Sequence, residues 1–419
     1  MIEKVRAYIT KEIGLEPESL ILVALSGGAD STALLLIMKE LGYKIEALHC
    51  NFHLRGEESN RDQAFVEELC KDQGVTLSVR HFNTEEVAKE RGISIEMAAR
   101  DLRYDWFREE LKARKAAYIA VAHHRDDQAE TLLLNLLRGT GLRGLAGMQA
   151  KHEDIIRPLL CLNRSEILHY LESRRQSFVT DSTNLERIAQ RNRIRLDLIP
   201  VLQSINPSAV EHLCLASENV QESLPYYKKG IEAAFKEQNI TANEFPLNAL
   251  KSRTLLHEWL AGKGFNRAQE EEMLSANRNG VGKMWLSNSH KVLRDREALL
   301  LAPLSNEIKA PQIKQEIVSC IEETGANVAY FDADLLPKPI AVRRVCEGDS
   351  FVPFGMKGRK LVSDYLTDIK LNRFEKAEQF VVICGEDIIW LIGHRSDNRY
   401  RVTDKTSRIL KLSVDSSQT

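Results

Sequence analysis

Near the start of the chain an apolar strand-like run, a Ser-Gly-Gly-Ala-Asp-Ser turn and a helix-like run follow without interruption, in LILVALSGGADSTALLLIMKELG. Two adjacent glycines let the backbone turn tightly and bring its amides close to an anion. A helix read as starting at Ser31 aims unpaired N–H groups and its positive dipole end at the same point. The expected ligand is therefore a phosphate group, cradled by Ser26, Gly27, Gly28, Ala29, Asp30 and Ser31. Asp30 adds a condition, because a carboxylate beside bound phosphate needs a cation such as Mg²⁺ between them. The plainer alternative is a Gly-Gly turn in which Asp30 and Ser31 only cap the helix. A Walker A loop is absent: the nearest string, Gly280-Val281-Gly282-Lys283, lacks the first glycine and the hydroxyl. Gly139, Gly141 and Gly144 spell GxGxxG, but they follow a helical pattern where a dinucleotide site needs a strand.

The first two hundred residues alternate strand-like and amphipathic stretches, the pattern of a parallel sheet with helices on both faces, and so an α/β domain. Strands are expected at Leu20 to Leu25, Ile45 to His49, Thr76 to His81 and Tyr118 to Ala122. Helices are expected at Ser31 to Leu41, Asn60 to Asp72, Ile95 to Ala113, Asp127 to Arg138 and Arg164 to Arg174, with Gly42 and Gly74 as stops. At about 100 to 200 residues per domain, 419 residues leave room for more than one. The expected division is an α/β domain at 1–205, a mostly helical middle domain at 206–310 and a small strand-rich domain at 316–419. Trp285 to Pro303 looks like a hairpin and Leu304 to Gln315 like a linker.

Apolar residues at 43% and charged residues at 28% exclude a disordered chain. Apolar runs such as Ala33 to Met38 are far shorter than the ~20 residues of a membrane span, and no secretory signal is visible. The expectation is a cytoplasmic protein with no membrane partner. Seven scattered cysteines never form CxxC, which argues against a disulfide framework or a zinc ribbon. The net charge of −2 gives no global sign of a polyanion partner, yet Lys338 to Thr419 holds 15 Lys+Arg against 11 Asp+Glu.

The SGGADS turn resembles the SGGxDS loop of the N-type ATP pyrophosphatases, which cleave ATP to AMP and pyrophosphate while adenylating a carbonyl-type oxygen. Further strings narrow this: HCNFHLRGEES from His49, EMAARDLRYDWF from Glu96, AHHRDDQAETLLLNLLRGTGLRGLAGM from Ala122, RPLL from Arg157, and DSTN from Asp181 followed by RNRIR. In this order they resemble the tRNA(Ile)-lysidine synthetase family. The likeness continues more weakly into GDSFVPFGMKGRKLVSDYLTD and WLIGHRSDNRYRVT, similar to the C-terminal RNA-binding domain of longer members. A cysteine-pair thiolase, a GMP synthetase and an asparagine synthetase would each need parts that are missing here. The resemblance implies an adenine nucleotide alpha hydrolase-like sheet, ATP and Mg²⁺ as cofactors, and tRNA(Ile) with a CAU anticodon and free L-lysine as partners, and it leaves room for a homodimer. ATP would adenylate the C2 oxygen of the wobble cytidine, and the lysine amine would then displace AMP.

Asp30 and Asp127 lie at the ends of two expected parallel strands, where such sheets bind ligands, and together could hold Mg²⁺. Capping of the helix DQAETLLLNLL would suit one of Asp126 and Asp127. Arg103 matches the family's phosphate-contacting arginine, with a salt bridge to Asp101 or Glu96 as the alternative. His123 could contact phosphate or merely pack. His49, Cys50 and His53 are not expected to bind metal, since a strand ending gives them no common face. The family motif puts Asn51, His53, Leu54 and Arg55 along the nucleotide or RNA approach. Arg191, Arg193 and Arg195 could grip RNA phosphates or form a solvated basic face. Lys357, Arg359 and Lys360, interleaved with Phe351, Phe354 and Tyr365, suit RNA contact, though strand core explains the aromatics equally well. The open alternatives are an ATP pyrophosphatase acting on a small metabolite and a nucleotide-binding module without turnover.

Overall fold

The computed structural model describes residues 1–54, 56–180, 190–276, 280–304, 309–322, 324–336 and 339–414. Arg55 and the DSTN string lie outside them. The chain separates into two compact units, Met1–Lys228 and Lys229–Thr419.

The first unit carries strands β1 (Leu20–Ala24), β2 (Lys44–Asn51), β3 (Leu77–His81), β4 (Tyr118–Ala120), β5 (Lys151–His152) and β6 (Ile155–Ile156). Its helices include α1 (Ile2–Tyr8), α2 (Ala29–Glu40), α3 (Glu57–Gln73), α4 (Thr84–Arg91), α5 (Ile95–Arg114), α6 (Arg125–Leu137), α7 (Leu142–Leu145) and α8 (Arg164–Ser173). The strand order is β3-β2-β1-β4-β6-β5, parallel except for the β5–β6 hairpin. β1 is apolar throughout because both its faces are covered. Ile21 and Val23 pack with Leu34, Leu35 and Ile37 of α2, while Leu22 turns to Trp106 and Phe107 of α5 on the opposite side. The α/β expectation therefore holds for this unit.

Boundaries moved where caps decide them. α2 starts at Ala29 rather than Ser31, because Gly28 is extended (φ −70°, ψ 165°) and serves as its N-cap. α6 starts at Arg125 rather than Asp127, because His124 is the capping residue. Gly74 ends α3 in the left-handed region, as expected of a glycine stop.

The second unit contains a four-stranded antiparallel sheet ordered β7 (Glu244–Pro246), β10 (Ala298–Pro303), β9 (His290–Arg294) and β8 (Met284–Leu286). Helices Arg253–Leu260 and Arg267–Ser275 cover it through Leu256, Trp259 and Met273. Where a hairpin is expected, Trp285 to Pro303, the chain forms the three antiparallel strands β8, β9 and β10. β7 is too short to have been read from the sequence. The strand-rich end forms a three-stranded and a four-stranded sheet around Phe331, Trp390 and Leu412. Its first strand, Ile313–Val318, begins inside the stretch expected to be linker. Among the described residues no cysteine is in a disulfide. Among the described residues, no helix is long and apolar enough to cross a membrane.

Candidate active site

The phosphate turn sits where β1 ends. Only Gly27 needs to be glycine for its backbone, with φ +87° and an added Cβ 3.2 Å from Val66 and 3.3 Å from Phe65. Gly28 has ordinary dihedrals, so the reading that both glycines serve the tight turn is half right: Gly28 caps the helix and lines the cavity. Ser31 Oγ accepts from the Ser26 amide at 3.2 Å and donates to the Gly28 carbonyl at 3.1 Å, closing the loop on itself. No side chain caps the first turn of α2, which leaves its amides for an anion.

Asp30 and Asp127 are far apart in sequence and meet at one imidazole. His124, 1% exposed, holds Nε2 3.7 Å from Asp30 Oδ1 and 3.4 Å from Asp127 Oδ2, and its Nδ1 lies 3.3 Å from Asp126 Oδ2 without hydrogen-bond alignment. Burial alone would lower the His124 pKa, but Asp126, Asp127 and Asp30 outweigh it and raise it above the ordinary imidazole value. Asp127 is likewise pushed up by burial, yet His124, Arg191, His123 and the His124 amide bring it below the usual carboxylate range. Asp127 Oδ2 accepts from the His124 amide at 3.0 Å, so of the two neighbouring acids it is Asp127 that caps α6. Asp126 instead accepts from the Arg164 amide at 2.9 Å. Arg164 also donates to Asp30 Oδ2 at 2.7 Å, while Asp30 Oδ1 is buried without a hydrogen-bond partner. A buried, unpartnered carboxylate oxygen beside a second acid fits a divalent cation. Among the described residues no three protein ligands close on one point, so such an ion would complete its shell with phosphate and water, as Mg²⁺ commonly does.

A cavity of about 380 Å³ at the ends of β1, β2 and β4 is lined by Ser26, Gly28, Asp30, Ser31, Arg103, His123 and Asp127, with Phe52 and Phe107 on its apolar side. The sheet thus brings seven of the expected residues to one space. Arg103 lies 5.2 Å over the Phe52 ring and pairs with neither Asp101, which faces Arg91, nor Glu96. His123 accepts at Nδ1 from Arg157 Nε at 3.2 Å, and burial lowers its pKa to about 4, so the ring is neutral. A second cavity, of about 640 Å³, shares Tyr104 with the first and is rimmed by Arg100, Arg108, Arg143, Arg157 and Lys228 against Asp101, Asp105 and Glu153.

Of the expected RNA-contacting arginines, Arg191 and Arg195 turn inward. Both donate to the fully buried Glu130, at 2.6 and 2.5 Å, and to Asp127 Oδ1, at 2.8 and 3.4 Å. Arg193 lies in a separate groove with Leu137, Arg138, Ile194 and Val201. In the second unit Lys357 is exposed, Arg359 lies 3.5 Å from Asp387, and Lys360 pairs with Asp368. Phe351 is core, whereas Phe354 is 49% exposed. His49 is buried with Nδ1 2.8 Å from the Leu25 carbonyl, a structural role. Sequence reasoning assigns no role to Glu130 or Arg164, places His124 beside His123 at the ligand edge without a role of its own, and takes Arg157 only as the start of the RPLL string; for Glu130 the spacing Asp127-x-x-Glu130 on one helix face was the available signal.

A parallel sheet with a phosphate turn and two converging acids at its ligand edge is the design of the PP-loop nucleotide-cleaving class. A PP-loop domain family matches residues 1–202, and a TilS substrate binding domain family matches residues 238–304. The tRNA(Ile)-lysidine synthase of Bacteroides thetaiotaomicron is 46% identical over 420 residues, covering 97% of this chain and 98% of that protein. The tRNA(Ile)-lysidine synthase of Parabacteroides distasonis is 40% identical over 432 residues, covering 98% and 99%. Among solved structures, the U34-tRNA thiolase NcsA of Methanococcus maripaludis covers 53% of this chain and 78% of its own at 19% identity and TM-score 0.46. The chain belongs to the tRNA(Ile)-lysidine synthase family.

Proposed function

We propose that this protein ligates lysine to C2 of the wobble cytidine, C34, in the CAU-anticodon isoleucine tRNA, so that the anticodon reads AUA in place of AUG. The C2 oxygen attacks the α-phosphorus of ATP and pyrophosphate leaves. The lysine amine then attacks C2, loses a proton, and AMP departs with the former C2 oxygen. A pyrimidine oxygen cannot leave as oxide at neutral pH, so activation has to precede substitution. Its substrates, tRNA, ATP and free lysine, support a cytoplasmic reaction.

The observation that carries the reading is the meeting of Ser26, Gly28, Asp30, Ser31, Arg103, His123 and Asp127 at one cavity. The turn amides of Gly27, Gly28 and Ala29 and the Ser26 hydroxyl receive phosphate oxygens, Ser31 joins them when its hydroxyl turns from the Gly28 carbonyl, and Arg103 presents its planar fork to the charge that develops. Asp30 and Asp127 would hold Mg²⁺, which neutralises the α-phosphate and pyrophosphate when bound. In this assignment residues 1–205 perform the chemistry, while 206–310 and 316–419 hold the tRNA. The cation-rimmed second cavity beside Tyr104 favours a polyanion approaching from that side. Arg55, Arg193, Lys357, Arg359 and Lys360 are the candidate RNA contacts. Arg191 and Arg195 act chiefly by holding Asp127 and Glu130 in place.

The test is product analysis. AMP and pyrophosphate should accumulate only when a CAU-anticodon tRNA and lysine are both supplied. RNA-independent turnover of a metabolite, or ATP binding without products, would replace this reading.

A further inference from the structure

Arg157 opens the RPLL string, and no step above uses it. It follows β6 by one residue, and His123 follows β4 by three. The two strands are parallel neighbours, with Ala120 beside Ile156, so both residues leave the sheet at the same edge. There Arg157 Nε donates to His123 Nδ1 at 3.2 Å, and a terminal guanidinium nitrogen donates to the Gln149 carbonyl at 2.8 Å. The Arg157 amide donates to the Ala150 carbonyl, also at 2.8 Å. Backbone and side chain are both anchored.

A guanidinium only donates and stays charged at any working pH. The imidazole nitrogen facing it must therefore offer a lone pair. The single ring proton of His123 then belongs on Nε2, and a second proton at Nδ1 would break the contact and set two cations together. Since His123 lines the nucleotide cavity, that space receives a fixed N–H donor and not an acid. We propose that Arg157 is a positioning residue for the adenylation step, holding His123 as the neutral tautomer that presents Nε2–H to the nucleotide cavity. The proposal rests on the lysidine-forming reading only for the identity of that step. A donor fixed before charge develops on departing pyrophosphate needs no reorganisation when it does.

The full-length chain labelled with ring-¹⁵N histidine tests this, His123→Gln identifying the signal. The wild type should show the Nε2-protonated pattern across about pH 6 to 8, where free histidine titrates. Arg157→Met should lose that preference, and Arg157→Gln, which keeps an N–H donor, should regain part of it. An Nδ1-protonated wild type, an unchanged tautomer in Arg157→Met, or no difference between Met and Gln would overturn the assignment. In AMP release with tRNA and lysine saturating, His123→Gln should lower kcat about 100-fold and Arg157→Met about 10-fold, each moving KM for ATP less. The double variant should be no slower than His123→Gln alone, and additive losses would mean that Arg157 acts elsewhere. A wild type releasing no AMP would sink the lysidine reading, while the ring spectra would still judge Arg157.

Discussion

Glu130 has no exposed surface and takes both its partners, Arg191 and Arg195, from a segment more than sixty residues away. An acid so placed is stable only because it is paired, and removing its charge leaves two guanidinium groups facing one carboxylate, Asp127. We expect Glu130→Gln to destabilise the first unit by about 3 kcal/mol in urea unfolding. Asp127→Asn keeps the size and one oxygen to cap α6 but leaves Arg191 and Arg195 with Glu130 as their one carboxylate, so it should lower stability no more than Glu130→Gln does, while AMP formation falls at least about 100-fold; full activity would refute its role. His123 gives a pH signature. Its folded pKa of about 4 lies below the ordinary 6.5, so the unfolded chain binds the extra proton between those values. Its contribution is complete above about 6.5 and is lost as pH falls toward 4. Urea stability of His123→Gln should therefore decline less steeply than wild type across that window.

At the scale of elements, β1, the turn after it and α2 form the unit that carries the phosphate loop, while α5 and α6 bring Arg103 and Asp127 to it. Gly27→Ala puts a Cβ at φ +87° against Val66 and Phe65, which should cost about 1 to 3 kcal/mol and weaken ATP binding, seen by calorimetry together with the melting curve. This unit was legible because its signals are short-range: an apolar run, paired glycines and a helical period lie within two dozen residues. The ends of α2 and α6 were misplaced by two residues, since Gly28 and His124 cap with backbone geometry that no propensity encodes. The contact of Arg164 with Asp30 spans 134 positions, and the contact of Arg157 with His123 spans 34. Such pairs become visible only once strand order is known. His124 illustrates the limit: beside His123 it reads as an interchangeable neighbour, yet it is the group around which three acids gather.

The whole molecule has two units, one carrying the phosphate turn and its acids, the other the exposed Phe354 and Lys357 that we propose as RNA contacts. Lys357, exposed on the second unit, is the cleanest probe there, because Arg359 and Lys360 have acidic neighbours. Lys357→Ala should weaken tRNA binding, lower the slope of log affinity against log salt by about one, and leave ATP affinity unchanged. Equal slopes would remove Lys357 from the interface. The most direct test of the central claim is mass spectrometry of the anticodon nucleosides after the protein acts on CAU-anticodon tRNA(Ile) with ATP, Mg²⁺ and isotopically labelled lysine. We expect position 34 to gain the labelled lysine with loss of water, only when ATP is present. An unmodified cytidine 34 in tRNA that has been bound, with ATP consumed, would contradict it.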